Sequence, residues 1–170
     1  MALPAAVLVP LYQEAGRWHV LFTLRTQTVD AHRGQVSFPG GRIEPGDLGP
    51  EQAALREAEE EIGIRPQDVR LLGRLDTLLT VTQFRVDPVV GVIPWPYPLS
   101  VNSREVALTF GVPLDWLADP LNVEEHARRL RPEGPEVPVY FFKPYQGQVI
   151  WGATARITLS LLELVRGLRE

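Results

Sequence analysis

Three glutamates, Glu57, Glu60 and Glu61, stand at i, i+3 and i+4 in the run REAEEEIGI. At about 100° per residue they share one sector of a helix, beside the apolar sector of Ala54, Leu55, Ala58 and Ile62. Like charges at this spacing repel. Anions are also disfavoured in the last turn, where the macrodipole is negative. Two local rules are broken at once, and such conflicts are expected where function demands them. A divalent cation resolves both. All three candidates are hard oxygen ligands, which suit Mg²⁺ or Mn²⁺. The alternative is a solvated acidic helix face.

The helix limits follow from its punctuation. Pro50 suits the first helical position, where a missing N–H costs nothing. Gly63 suits the position just past the end, where φ is commonly positive. The expected helix is Pro50–Ile62. Before it, Gly34 to Gly41 (GQVSFPGG) forms a Gly/Pro turn. Arg25, His32, Arg33 and Arg42 cluster in sequence around that turn, as donors for an anionic ligand would.

Gly40 and Gly41 followed by REAEEEIGI resemble the Nudix box of pyrophosphohydrolases that act on nucleoside diphosphates linked to another moiety. Arg56, Glu57, Ala58, Glu60, Glu61, Gly63 and Ile64 match the pattern residue by residue. One departure lies upstream. The family's acid falls six residues after the second Gly and eight before the Arg. Asp47 meets the first spacing but lies nine before Arg56, and is Asp rather than Glu.

The longer stretch LRTQTVDAHRGQVSFPGG resembles the signature of the coenzyme A diphosphatase subfamily. Arg25, Thr26, His32, Gly34, Gln35, Ser37, Phe38, Pro39, Gly40 and Gly41 carry that likeness. EVALTFGVPLDWL and VIWGATARITLSLLELV resemble later segments of the same subfamily. The resemblance implies one domain over residues 1–170 with the α/β (α+β) Nudix fold, a mixed sheet sandwiched between helices. It implies metal-dependent hydrolysis of coenzyme A, or its derivatives, to 3′,5′-ADP and 4′-phosphopantetheine. Two alternatives stay open: a Nudix pyrophosphatase for ADP-ribose or ADP-sugars, and a catalytically weak nucleotide-binding sensor.

The implied roles are these. Glu57 and Glu61 are the main metal ligands, with Glu60 in support. Arg56 orients the carboxylates. Glu57 or Glu105 is the general base. Arg25, His32, Arg33, Gln35, Gly40, Gly41 and Arg42 contact substrate.

Composition bounds the rest. The 170 residues, 45% hydrophobic and 22% charged, suit one globular domain. A net charge of −4 argues against a general nucleic-acid binder. Cysteine is absent, which excludes disulfides and thiolate chemistry. No apolar run reaches the roughly 18 residues of a membrane span, and no signal-peptide pattern opens the chain. The expectation is a cytoplasmic protein with a small-molecule partner, no nucleic acid and no membrane. A homodimer is compatible with all of this.

Strands are expected at Pro4–Tyr12, Arg17–Arg25, Val69–Thr80 (kinked at Gly73), Phe84–Pro94 and Arg104–Val112. Pro88 suggests a bulge or an edge. Trp95–Asn102 reads as a connector, or as stacking platforms for a ligand. Asn122–Arg131 reads as a short helix or a charged loop. Val137–Phe142 and Gln148–Trp151 read as a hairpin. The C-terminal helix takes its period from Leu159, Leu162 and Val165/Arg166.

Overall fold

The computed structural model describes residues 1–28 and 34–169. Strands β1 (Leu3–Glu14) and β2 (Arg17–Arg25) form the expected hairpin. Their two-residue turn places Ala15 and Gly16 at φ of 50° and 75°, the left-handed pair that such a turn requires. There follow β3 (Val36–Ser37), β4 (Gly40–Arg42) and α1 (Pro50–Ile62), the last with the limits expected of it. Next come β5 (Arg70–Arg74), β6 (Leu78–Leu79), β7 (Phe84–Val92), β8 (Val106–Pro113) and α2 (Leu114–Ala118). The chain closes with β9 (Val123–Arg129), β10 (Glu136–Phe142) and α3 (Gly152–Arg169).

The main sheet is mixed, in the order β3-β2-β1-β7-β5. β4 adds to β1, β6 to β7 and β8 to β2. β1 runs parallel to β7 and antiparallel to β2 and β4. One face is covered by α1, whose Ala53, Ala54, Ala58 and Ile62 bury against Ala6, Leu8, Leu21 and Val89. The opposite face packs Val9, Val20 and Phe22 against Leu117 of α2 and Ala155, Ile157, Leu161 and Leu162 of α3. This is the expected sandwich. It also explains why β2 buries Leu21 and Thr23 along with Val20 and Phe22. A sheet covered on both sides needs no polar face.

Several local expectations are corrected. Val69–Thr80 is not one strand. It breaks after β5, with a register shift between Leu71 and Gly73, and resumes as β6. Pro88 lies inside the sheet, opposite that break, where Leu75 N–H donates to its carbonyl. Residues 122–131 are neither helix nor loop: most of them form β9, paired with β10. Its side chains from Glu124 to Arg129 are all exposed, so no alternation marked it as a strand. Val137–Phe142 therefore pairs with β9, and 148–151 contributes only isolated bridges to Tyr145 and Phe141. On α3 the buried stripe includes Thr154 and Thr158, with Leu161 and Leu162. Their hydroxyls donate to the carbonyls of Val36 and Thr154, which lets two polar residues occupy core positions.

Trp95 stacks on Tyr12 with ring centroids 3.8 Å apart. Tyr97 donates to Asp68 at 2.6 Å. The segment Trp95–Asn102 is thus tied down as a connector. Among the described residues, no helix is long and apolar enough to cross a membrane.

Candidate active site

The last turn of α1 is secured by main-chain donors. Gly63 adopts φ 72°, and its N–H reaches the Glu59 carbonyl at 3.0 Å. Ile64 N–H reaches Ala58. The connector before β8 supplies the next two: Ser100 N–H to Ile62 at 3.0 Å and Asn102 N–H to Glu61 at 2.8 Å. Carbonyls normally orphaned at a helix end are satisfied from outside, which holds the acidic turn in place despite its charge.

The three glutamates separate by environment. Glu61 is buried, at 3% exposure, and its Oε2 accepts from Gly40 N–H at 3.3 Å. The Glu57 side chain is 15% exposed and that of Glu60 57% exposed. β4 explains the order, because it runs beside the Glu57 and Glu61 side of the helix. A Cβ on Gly41 would lie 2.5 Å from Glu57 Oε1, and one on Gly40 would lie 2.4 Å from the Ala6 carbonyl oxygen. Both positions require glycine: Gly40 to meet β1, Gly41 to admit the carboxylate.

Arg56 organises the cluster. Its Nε and Nη2 grip both oxygens of Asp47 at 3.0 and 2.9 Å. Nη2 also donates to the Arg42 carbonyl. Nη1 faces Glu57 at 3.1 Å and Glu60 at 3.5 Å. Asp47, despite its displaced spacing, fixes the guanidinium that fixes the glutamates. The Arg56 hydrogen bonds and the Glu44 amide hold the Asp47 carboxyl below its ordinary range.

Glu105 joins from the far side. Its N–H donates to the Asn102 carbonyl and its carbonyl accepts from Thr26 N–H, while the Thr26 hydroxyl donates to Arg104 at 2.8 Å. The same connector that clasps α1 thus delivers this fourth acid. Burial pushes the Glu61 carboxyl up to about 8, with Glu57 and Glu105 adding to the rise against the pull of Arg25. Burial also raises Glu57, opposed by Arg56 and reinforced by Glu60 and Glu105.

Arg25 ends β2 opposite Val106, and its N–H donates to the Gln35 carbonyl. Arg25, Gln35, Gly40, Gly41, Glu57, Glu61 and Glu105 therefore belong to one neighbourhood. Arg42 is not brought among the carboxylates: its guanidinium lies over the Phe84 ring at 5.7 Å, and Phe84 packs against the α3-side core. His32 and Arg33 lie outside the described residues. Ser100 and Asn102 escaped the sequence reading because they act through backbone N–H groups, which every residue but proline carries.

The donor set fits a hard divalent cation. A buried carboxylate crowded by two others and offset by few donors is costly, and a cation removes that cost. Among the described residues, no three acidic or histidine side chains converge as a ready-made ligand set. Mg²⁺ needs fewer protein ligands than that, since one or two carboxylates can be completed by water and substrate oxygens.

Residues 2–133 match the model of the NUDIX domain. An uncharacterized Nudix hydrolase, NudL of Photorhabdus laumondii, is 39% identical over 163 residues, covering 95% of this chain and 84% of that protein. The C. elegans Ap4A hydrolase, in a binary complex, superposes with a TM-score of 0.58 at 21% identity, over 66% of this chain and 81% of that one. The NUDIX domain of Shewanella oneidensis NrtR, complexed with ADP ribose, gives a TM-score of 0.51 at 20% identity, over 68% and 75%. At these identities the two structures speak to the fold alone.

Proposed function

This chain belongs to the Nudix family, and we propose that it hydrolyses the diphosphate bond of coenzyme A, releasing 3′,5′-ADP and 4′-phosphopantetheine. Nudix hydrolases generally use divalent cations such as Mg²⁺ or Mn²⁺. The observation that supports turnover is the buried Glu61, whose carboxyl feels the charges of Glu57 and Glu105, with Arg56 pinned by Asp47. The subfamily assignment rests on the likeness of residues 25–41 to the coenzyme A diphosphatase signature.

Glu57 and Glu61 would hold the cation, with Glu60 at its margin. When bound, it neutralises charge on the diphosphate and acidifies the attacking water. Arg56 keeps the Glu57 and Glu60 carboxylates oriented. Glu57 or Glu105 accepts the proton of that water, and the two are separable by mutation. Arg25, His32 and Arg33 supply positive charge or hydrogen-bond donors to the phosphates, while Gln35 and the Gly40–Gly41 backbone border the same space.

A second reading is hydrolysis of ADP-ribose or an ADP-sugar. The box, Gly40 and Gly41 followed by Arg56 to Ile64, fits it equally well. Product analysis on coenzyme A, dephospho-coenzyme A and ADP-ribose, with and without Mg²⁺ or Mn²⁺, separates the two. The expected result is metal-dependent 3′,5′-ADP from coenzyme A, formed faster than AMP from ADP-ribose. Faster cleavage of ADP-ribose discards the coenzyme A assignment and keeps the metal helix. Binding without turnover of any of them leaves a sensor domain.

A further inference from the structure

β9 and β10 take no part in the candidate site. They form a separate two-stranded sheet, with β10 lying against α3, on the side of the main sheet away from α1. Among the described residues, the outer edge of β9 pairs with no strand. Such an edge is a template for another chain unless it is guarded.

The charges on this edge are sorted. Glu124 and Glu125 come first, then His126 and Ala127, then Arg128 and Arg129, and all six residues are exposed. Within the chain they are loosely engaged. Arg129 reaches Glu136 at 3.8 Å and His126 reaches Glu124 at 3.2 Å, both between exposed side chains. The Arg128 guanidinium lies 5.9 Å from the Phe141 ring centre.

Sorting matters because antiparallel pairing reverses one copy. Only alternate residues present N–H and C=O groups to a given side of a strand, so residues that face each other must differ by an even number. A two-fold axis at His126 meets that condition. It sets Glu124 opposite Arg128 of the second copy, twice over, and places Glu125 diagonal to Arg129, within reach of long side chains. Parallel in-register stacking would instead set Glu on Glu and Arg on Arg. The order therefore favours a closed pair and opposes open-ended growth. Apolar residues stand at both ends: Leu121 is 73% exposed and Leu130 45% exposed. Antiparallel pairing brings Leu130 of one copy to the end that carries Leu121 of the other.

We propose that β9 is a self-complementary edge through which two copies of this chain associate, antiparallel about a two-fold axis at His126, to make a continuous β10-β9-β9-β10 sheet. One seven-residue edge is smaller than a standard interface, so a concentration-dependent equilibrium is expected rather than a permanent dimer. The α1 site stays open on the other side of the main sheet.

Sedimentation of the full chain over a concentration series tests this. Wild type should rise from its 19.0 kDa monomer mass toward twice that value, and fall back when salt is added. Glu124→Arg with Glu125→Arg makes the edge wholly basic. Arg128→Glu with Arg129→Glu makes it acidic. Each double variant should associate at least about tenfold more weakly, because like charges now face across the axis. An equal mixture of the two should recover the dimer mass as a heterodimer, which also shows that both variants are folded. A wild type that stays monomeric throughout overturns the proposal. So do variants that dimerise as wild type does, or a mixture that fails to pair although both components give native circular dichroism spectra.

Discussion

α1 and α3 cover opposite faces of one sheet and obey different rules. α3 carries Arg166 and Arg169 in its last turn, where the dipole favours cations. Its buried polar groups are hydroxyls that its own backbone or a neighbouring strand satisfies. α1 has no basic residue in its last turn and buries Glu61 there instead. What holds it is external: two connector amides on its final carbonyls, Gly40 N–H on Glu61, and the Asp47–Arg56 pair across its flank. A helix that only supports the fold keeps its local preferences. One that carries chemistry sets them aside and leans on its neighbours.

The widest gap is expected between Leu161→Ala on α3 and Glu61→Gln on α1. Leu161 is 2% exposed, so its truncation should cost about 2–5 kcal/mol of stability, read by denaturant unfolding, with turnover per folded molecule unchanged. Glu61→Gln should leave stability equal or higher and cut turnover of coenzyme A by more than about tenfold, roughly 1.4 kcal/mol in the barrier. A smaller loss would remove Glu61 from the metal site.

The two adjacent glycines sharpen the contrast within β4. Gly40→Ala drives a methyl into the Ala6 carbonyl and should destabilise by about 1–3 kcal/mol. Gly41→Ala meets only the far end of the Glu57 side chain, which can swing away. Its cost should appear in activity and apparent Mg²⁺ affinity more than in unfolding. Equal behaviour of the two would refute this division.

A separate effect concerns pH in the absence of metal. Burial and its acidic neighbours raise Glu61 from 4.5 to about 8. The folded state therefore binds more protons than the unfolded state between those values, and stability should decline as pH rises from about 4.5 to about 8. Glu61→Gln should flatten that part of the profile. Mg²⁺ should restore wild-type stability at pH 8 by binding the ionised form.

Legibility followed the same division. The limits of α1, the β1–β2 hairpin and the Arg56–Glu61 arrangement were readable, because periodicity, Pro50, Gly63 and the box spacing are local. β9 was not readable: a strand exposed on both faces has no buried side to impose alternation. The α3 stripe was read only in part: Leu162 is buried with Leu159 and Val165 packed beside it, but Thr154 and Thr158 look polar until their hydroxyl acceptors are known. Adjacency in sequence put Arg42 beside the box, and only the fold shows its guanidinium over Phe84.

By itself, the sequence determined the family, the helix that carries the acids and the residue types available for chemistry, since these depend on spacing along one chain. Tertiary structure alone decided which glutamate is buried, that Asp47 closes on Arg56 across its displaced spacing, and that the Ser100–Glu105 segment both clasps α1 and delivers Glu105. Those outcomes depend on β4 and the connector meeting the helix from distant parts of the chain. Contacts made through backbone amides leave no mark in side-chain identity.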